Sequence, residues 1–171
     1  DPVSHKDVSK YIDFRNEDAF NFLKTNKNKF DLIMIKQTLH FFNKNKRKKL
    51  IKICKNSLKK NGLLIIFSLN TKNNEIPCFK LMKQKLNKGL ERDSRMLKSV
   101  SRLLKNYKID EFKFKVSINK NKYLKMLKNR YISCLISLNN MDIKRGIKEI
   151  NNIYPDKILF DDTLTCIMYK L

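Results

Sequence analysis

Apolar residues along this chain switch between two spacings, and the switches mark its elements. Phe30-Asp31-Leu32-Ile33-Met34-Ile35 is a nearly continuous apolar run of the kind a strand buried on both faces carries. Gln37-Thr38-Leu39-His40-Phe41-Phe42 follows as a loop, and Asn43 to Lys60 then reads as a helix. In that helix Leu50, Ile51, Cys54 and Leu58 share one side and lysines fill the rest. Asn61-Gly62 predicts the positive-φ stop, and Leu63 to Leu69 is a second buried strand. Strand, helix and strand in this order form a parallel βαβ unit.

The flanking segments extend the pattern. Tyr11 to Asp18 predicts a short strand ending in an acidic turn, with a short helix or loop from Glu17 to Leu23. Pro77 to Tyr107 is the longest helical region, with Met82, Leu86, Leu90, Leu97, Val100, Leu104 and Tyr107 at three- and four-residue steps and a break expected at Gly89. Phe112, Phe114, Val116 and Ile118 alternate with polar residues, which predicts a half-exposed strand. Leu124, Leu127, Tyr131, Cys134 and Leu138 mark a helix, and Ile143, Ile147, Ile150 and Tyr154 mark a shorter one. Thr163 to Tyr169 is a closing strand of β-formers. No repeat, Pro-rich linker or low-complexity tract divides the 171 residues, so the expectation is one α/β domain.

Composition changes that picture little. A net charge of +23 would ordinarily suggest nucleic acid. Here lysine far outnumbers arginine, asparagine is abundant and Ala19 is the single alanine, biases that fit an AT-rich genome. A dedicated phosphate-binding face would favour the two-point contacts of arginine. Cys54, Cys78, Cys134 and Cys166 are widely spaced in apolar surroundings, with no CxxC pair. They read as reduced core residues of a cytoplasmic protein, and no metal site is expected. No apolar run approaches a membrane span, and no signal-peptide pattern opens the chain.

The stretch from Phe30 through Leu39-His40 to Leu58-Lys59-Lys60-Asn61-Gly62-Leu63-Leu64-Ile65-Ile66 resembles the fourth and fifth strands of class I S-adenosylmethionine-dependent methyltransferases, in particular those of the small-molecule, methyltransferase-11-like kind. The tail resembles their C-terminal third in Tyr131-Ile-Ser-Cys-Leu, Gly146-Ile-Lys-Glu-Ile, Tyr154-Pro, Ile158-Leu-Phe-Asp161 and Ile167. The resemblance implies a Rossmann-like, mostly parallel sheet of strand order 3-2-1-4-5-7-6 with an antiparallel last strand. It also implies a helical lid or insert at about 76–107. The family's Gly-rich turn after strand 1 is missing, since Gly62, Gly89 and Gly146 lie elsewhere. The chain begins with Asp1 rather than Met, and the expectation is that its N-terminal part is truncated, with strand 1 upstream.

The resemblance also implies the site. Ligands of open α/β sheets sit beyond the carboxyl ends of strands, so those ends supply the candidates. Asp18, with Ala19 beside it, is the expected acceptor for the adenine amino group, and Asp1 in Asp1-Pro2-Val3-Ser4 the partner of the ribose hydroxyls. Lys36 and Gln37 should lie near the methionine end of S-adenosylmethionine, where a lysine departs from the small or polar residue usual there. His40 is the candidate general base, and Arg130 with Tyr131 the candidate substrate contacts, the arginine as a two-point clamp on a carboxylate. The implied reaction moves a methyl group to an oxygen or nitrogen of a small molecule. Its rival is a degenerate, non-catalytic binding or scaffold subunit, conceivably on RNA.

Overall fold

The computed structural model describes residues 12–13 and 15–171. Four strands form one sheet: β1 (Phe30–Lys36), β2 (Leu58–Leu69), β3 (Tyr107–Asn119) and β4 (Lys157–Lys170). Their spatial order is β1-β2-β4-β3. β1 and β2 are parallel, while β4 runs antiparallel to both β2 and β3. The last strand therefore slots between the second and third, the order 4-5-7-6 that the resemblance implies. Among the described residues there are five α-helices: α1 (Ala19–Thr25), α2 (Lys44–Ser57), α3 (Lys80–Ser101), α4 (Lys120–Lys128) and α5 (Asn140–Ile153).

Local chemistry sets the element ends. Asn43, Asn119 and Asn139 each cap a helix by accepting backbone N–H bonds, and Asn139 with Asp142 forms a reciprocal capping box. α2 stops at Ser57, earlier than the Asn61-Gly62 stop expected from the sequence. The positive φ falls on Asn61 (65°) and not on Gly62. Gly62 is needed for room instead: a Cβ there would lie 2.9 Å from the carbonyl oxygens of Lys59 and Phe30. This is where the β1–β2 register shifts, between Phe30↔Leu58 and Leu32↔Leu63.

Four further expectations are corrected. The described residues between Ile12 and Asp18 form no strand, because a strand needs a pairing partner and none of the described residues supplies one. α3 runs unbroken through Gly89; Leu86 and Leu90 are buried on either side of it, and that burial outweighs the roughly 1 kcal/mol a helical glycine costs. The helix expected through Leu138 ends at Lys128, since Arg130 has φ 53° and a short 3-10 turn follows at Ser133–Leu135. β3 borders the sheet, so Ile109 (57%), Phe112 (53%) and Phe114 (60%) are more exposed than a half-buried strand allows.

The buried side chains fall into two clusters. The first joins Ile35, Ile51, Leu64, Ile66 and Ile167 to the C-terminal half of α3 through Leu97 and Val100. The second joins Phe79 and Met82, at the N-terminal end of α3, to Tyr123, Leu127, Leu135, Ile150 and Ile158. α3 thus spans both cores. Leu86 and Leu90 in its middle face the space between them.

Candidate functional site

That space is a cavity of about 780 Å³ at the carboxyl ends of β1 and β2. Gln37, His40 and Phe41 line it from the loop after β1, and Ser68 and Leu69 from the end of β2. Leu86, Gly89, Leu90, Arg92 and Asp93 close one side from α3, and residues 131–134, 136 and 137 close another. Asp162 contributes from β4. This is the position at which open α/β sheets hold ligands.

Each wall has a local cause. Gln37 takes φ 52° and its backbone N–H donates to the Phe67 carbonyl, which turns the chain out of β1 and over the sheet's end. Leu39, buried in the first core, anchors the turn that carries His40. On the far side, the Arg130 guanidinium donates to the carbonyls of Leu135 and Leu138 and to Asn140 Oδ1. Those bonds hold residues 131–138 in the shape of a wall. The carboxylate clamp expected of Arg130 has no free face, because the guanidinium is engaged in the wall and lies outside the cavity lining. Tyr131 does line the cavity, and its hydroxyl pairs with that of Tyr123 at 3.0 Å. Tyr123 in turn donates to the Pro77 carbonyl, which ties this wall to the chain entering α3. Burial raises both phenol pKa values, so both groups stay protonated.

The charged groups are unevenly satisfied. Arg92 contacts Asp93 at 3.0 Å, and Asp93 is buried. Burial lowers the His40 pKa, the Asp93 carboxylate opposes that shift and the Arg92 charge adds to it. The imidazole is therefore neutral at pH 7. Burial raises the Asp162 pKa, with the charge of Lys36 working against it. Among the described residues, three buried polar side-chain atoms lack a hydrogen-bond partner: His40 Nε2, Asn74 Nδ2 and Asp162 Oδ1. Two of the three belong to the cavity wall.

The remaining sequence candidates sit apart from the cavity lining. Asp18 caps α1, its Oδ1 accepting from the N–H groups of Phe20 and Asn21, which leaves Oδ2 for a further donor. Ala19 opens that helix, and both residues are exposed. Lys36 is exposed at the end of β1. Asp1 lies outside the described residues. Sequence reasoning missed Asp93 and Asp162, and both carried a signal. Asp93 falls in the apolar stripe of α3 that continues through Leu90 and Leu97, and Asp162 falls two residues from Phe160 and Leu164 on β4. An acid at a position whose period calls for an apolar side chain is a candidate for a site. No three His, Cys, Asp or Glu side chains among the described residues gather as metal ligands. Cys54 and Cys134 have thiols pushed up by burial to about 11, and Cys78 to about 12, so all three are unreactive at neutral pH.

The family described as "CheR methyltransferase, SAM binding domain" matches residues 4–86, just under half the chain. Among solved structures, a SAM-dependent methyltransferase from Archaeoglobus fulgidus aligns at 17% identity and a TM-score of 0.45. It covers 91% of this chain and 66% of that one. A phosphoethanolamine N-methyltransferase 2 from Haemonchus contortus aligns at 9% identity and a TM-score of 0.36, over 83% of this chain and 34% of that one. This chain therefore spans about two thirds and one third of their lengths, and likenesses this weak assign no residue roles. No curated protein matches the sequence. The family match over residues 4–86, the residue pattern from Phe30 to Phe67 and the strand order agree in likening this part of the chain to S-adenosylmethionine-binding methyltransferase domains.

Proposed function

We propose that this protein transfers a methyl group from S-adenosylmethionine to a nitrogen or oxygen of a small molecule held in the cavity between the two cores. The observation that supports it most is the placement of neutral His40 on the wall of a half-open, mostly apolar cavity at the carboxyl ends of β1 and β2. The described residues offer part of a cradle for the cofactor: Asp18 Oδ2 suits the adenine amino group, and Gln37 stands where the methionine end would meet the cavity. Bound S-adenosylmethionine would supply a methyl group activated on a sulfonium sulfur, which keeps the carbon–sulfur electron pair as the methyl leaves.

The protein's own work is alignment and proton handling. Holding the acceptor within reach of the methyl group is worth up to about 7–11 kcal/mol of barrier in favourable cases. His40 Nε2 takes the proton that an amine or hydroxyl acceptor sheds as its lone pair forms the new bond to carbon. The lowered pKa keeps the imidazole neutral, with one ring nitrogen able to accept, at neutral pH. Apolar walls from Leu69, Ile76, Leu86 and Leu90 exclude competing water.

Transfer of a labelled methyl group from S-adenosylmethionine to small-molecule acceptors tests the reading. His40→Gln is expected to lower kcat roughly 10²–10⁴-fold while the KM for S-adenosylmethionine stays put. An unchanged kcat would remove His40 as the base. Transfer to proteins but to no small molecule would overturn the acceptor class.

A further inference from the structure

The cavity lining carries donors in Lys85 and Lys88, yet two of its buried polar atoms, His40 Nε2 and Asp162 Oδ1, are left without a partner, and that pair points to a ligand chemistry. On the reading above, His40 Nε2 must be unprotonated, so it is an acceptor. Asp162 Oδ1 is an acceptor whenever the carboxylate is ionised. Neither has a donor among the described residues. The cation best shaped to satisfy a carboxylate in this region, Arg130, is engaged at Leu135, Leu138 and Asn140, and Arg92 is engaged at Asp93. Lys36 lowers the Asp162 pKa through its charge yet makes no hydrogen bond to it.

Buried acceptors without donors are rare in folded proteins, because each forfeits the hydrogen bonds it had in water. Two in the lining of one cavity, from elements as far apart in the chain as the β1 loop and β4, mark where a ligand's donors go. A carboxylate ligand brings no donor to either acceptor and would turn instead to Lys85 and Lys88 elsewhere in the lining. A hydroxyl brings one hydrogen and satisfies one acceptor. A primary amine brings at least two and satisfies both. The rest of the lining, from Leu69, Ile76, Leu86, Leu90, Ile132 and Ile136, suits an apolar body.

Building on the proposed methyl transfer, we infer that the acceptor is a primary amine on an apolar body, with its nitrogen held between Asp162 and His40. Asp162 is then a binding and specificity residue and His40 the base. The nitrogen lone pair forms the bond to the methyl carbon, the carbon–sulfur pair goes to sulfur, and one N–H proton goes to His40.

The test uses matched acceptors with the wild-type protein and Asp162→Asn. 2-Phenylethylamine is compared with 2-phenylethanol and phenylacetate, and hexylamine with hexanol and hexanoate, in labelled methyl transfer. The expected result is N-methylation of an amine with kcat/KM well above its alcohol and acid. Asp162→Asn should raise the amine's KM by about 10–100-fold, the loss of one charged hydrogen bond, with S-adenosylhomocysteine affinity unchanged. A melting temperature no lower than wild type would show that the variant is folded, as removal of a half-buried, unpaired charge predicts. Preferred methylation of the alcohol or acid overturns the amine assignment, as does an unaltered amine KM in Asp162→Asn. Cofactor binding with no transfer to any amine overturns it too, and leaves the methyltransferase reading standing. Absence of S-adenosylhomocysteine binding would instead defeat that earlier reading.

Discussion

The two ends of α3 rest in different cores, and the two cores do different work. The first packs α2 and the C-terminal half of α3 onto β1, β2 and β4, and it anchors the loop that carries Gln37 and His40. The second packs α4, α5 and the start of β4 around Phe79 and Met82. It brings no residue of the β1 loop with it. Its consequence for the cavity is to press residues 131–137 and the N-terminal half of α3 into place. On the proposed reading, the side that would hold the cofactor and the side that would hold the acceptor can be damaged separately, although one helix joins them.

Substitutions in the two cores should break that separation if it is not real. Leu127→Ala in the second core and Ile51→Ala in the first each empty a fully buried site and should each cost about 2–5 kcal/mol. In samples still folded by circular dichroism, Leu127→Ala should raise the acceptor's KM and spare S-adenosylhomocysteine affinity. Ile51→Ala should weaken both. Equal damage to both ligands from both variants would mean that the cores act as one.

A smaller effect is expected from Arg130→Ala, which strips the donors from the Leu135 and Leu138 carbonyls for a cost of about 1–3 kcal/mol. Faster hydrogen exchange confined to residues 130–140 would fit the wall-holding role. Faster exchange spread over β1 and β2 would not. The smallest shift, and the one of opposite sign, should come from Gly89→Ala. Nothing lies within 4 Å of where its Cβ would be, and α3 is helical there, so a gain of about 0.5–1 kcal/mol is expected in thermal or urea unfolding. A loss would mean that the bridge over the cavity requires glycine.

Much of the first core's architecture could be read from residues alone. Phe30 to Ile35 and Leu63 to Phe67 read as paired strands with a surface helix between them. β1 was expected to be buried on both faces but, bordering the sheet among the described residues, exposes Leu32 (48%) and Met34 (54%). The second core was less legible because its boundaries are set by tertiary contacts. Arg130 adopts φ 53° with no glycine to announce it, and its guanidinium then stabilises the turn it opens. Gly89 announces a break that packing at Leu86 and Leu90 overrides. Of the site, Gln37, His40 and Tyr131 were legible as strand-end and tail positions, and they do meet at one cavity. Asp93 and Asp162 were missed although each interrupts an apolar period, a signal that gains a meaning once the walls are assembled. Arg130 looked like a ligand clamp because the sequence shows its charge and not the carbonyls it serves.

The central claim is that these elements serve a methyl transfer from S-adenosylmethionine, and calorimetric titration of the protein with S-adenosylhomocysteine tests it most directly. The account predicts saturable one-to-one binding, weakened by Asp18→Ala and indifferent to Asp162→Asn. A cooperatively folded sample that binds none would contradict it and leave the cavity to a different chemistry.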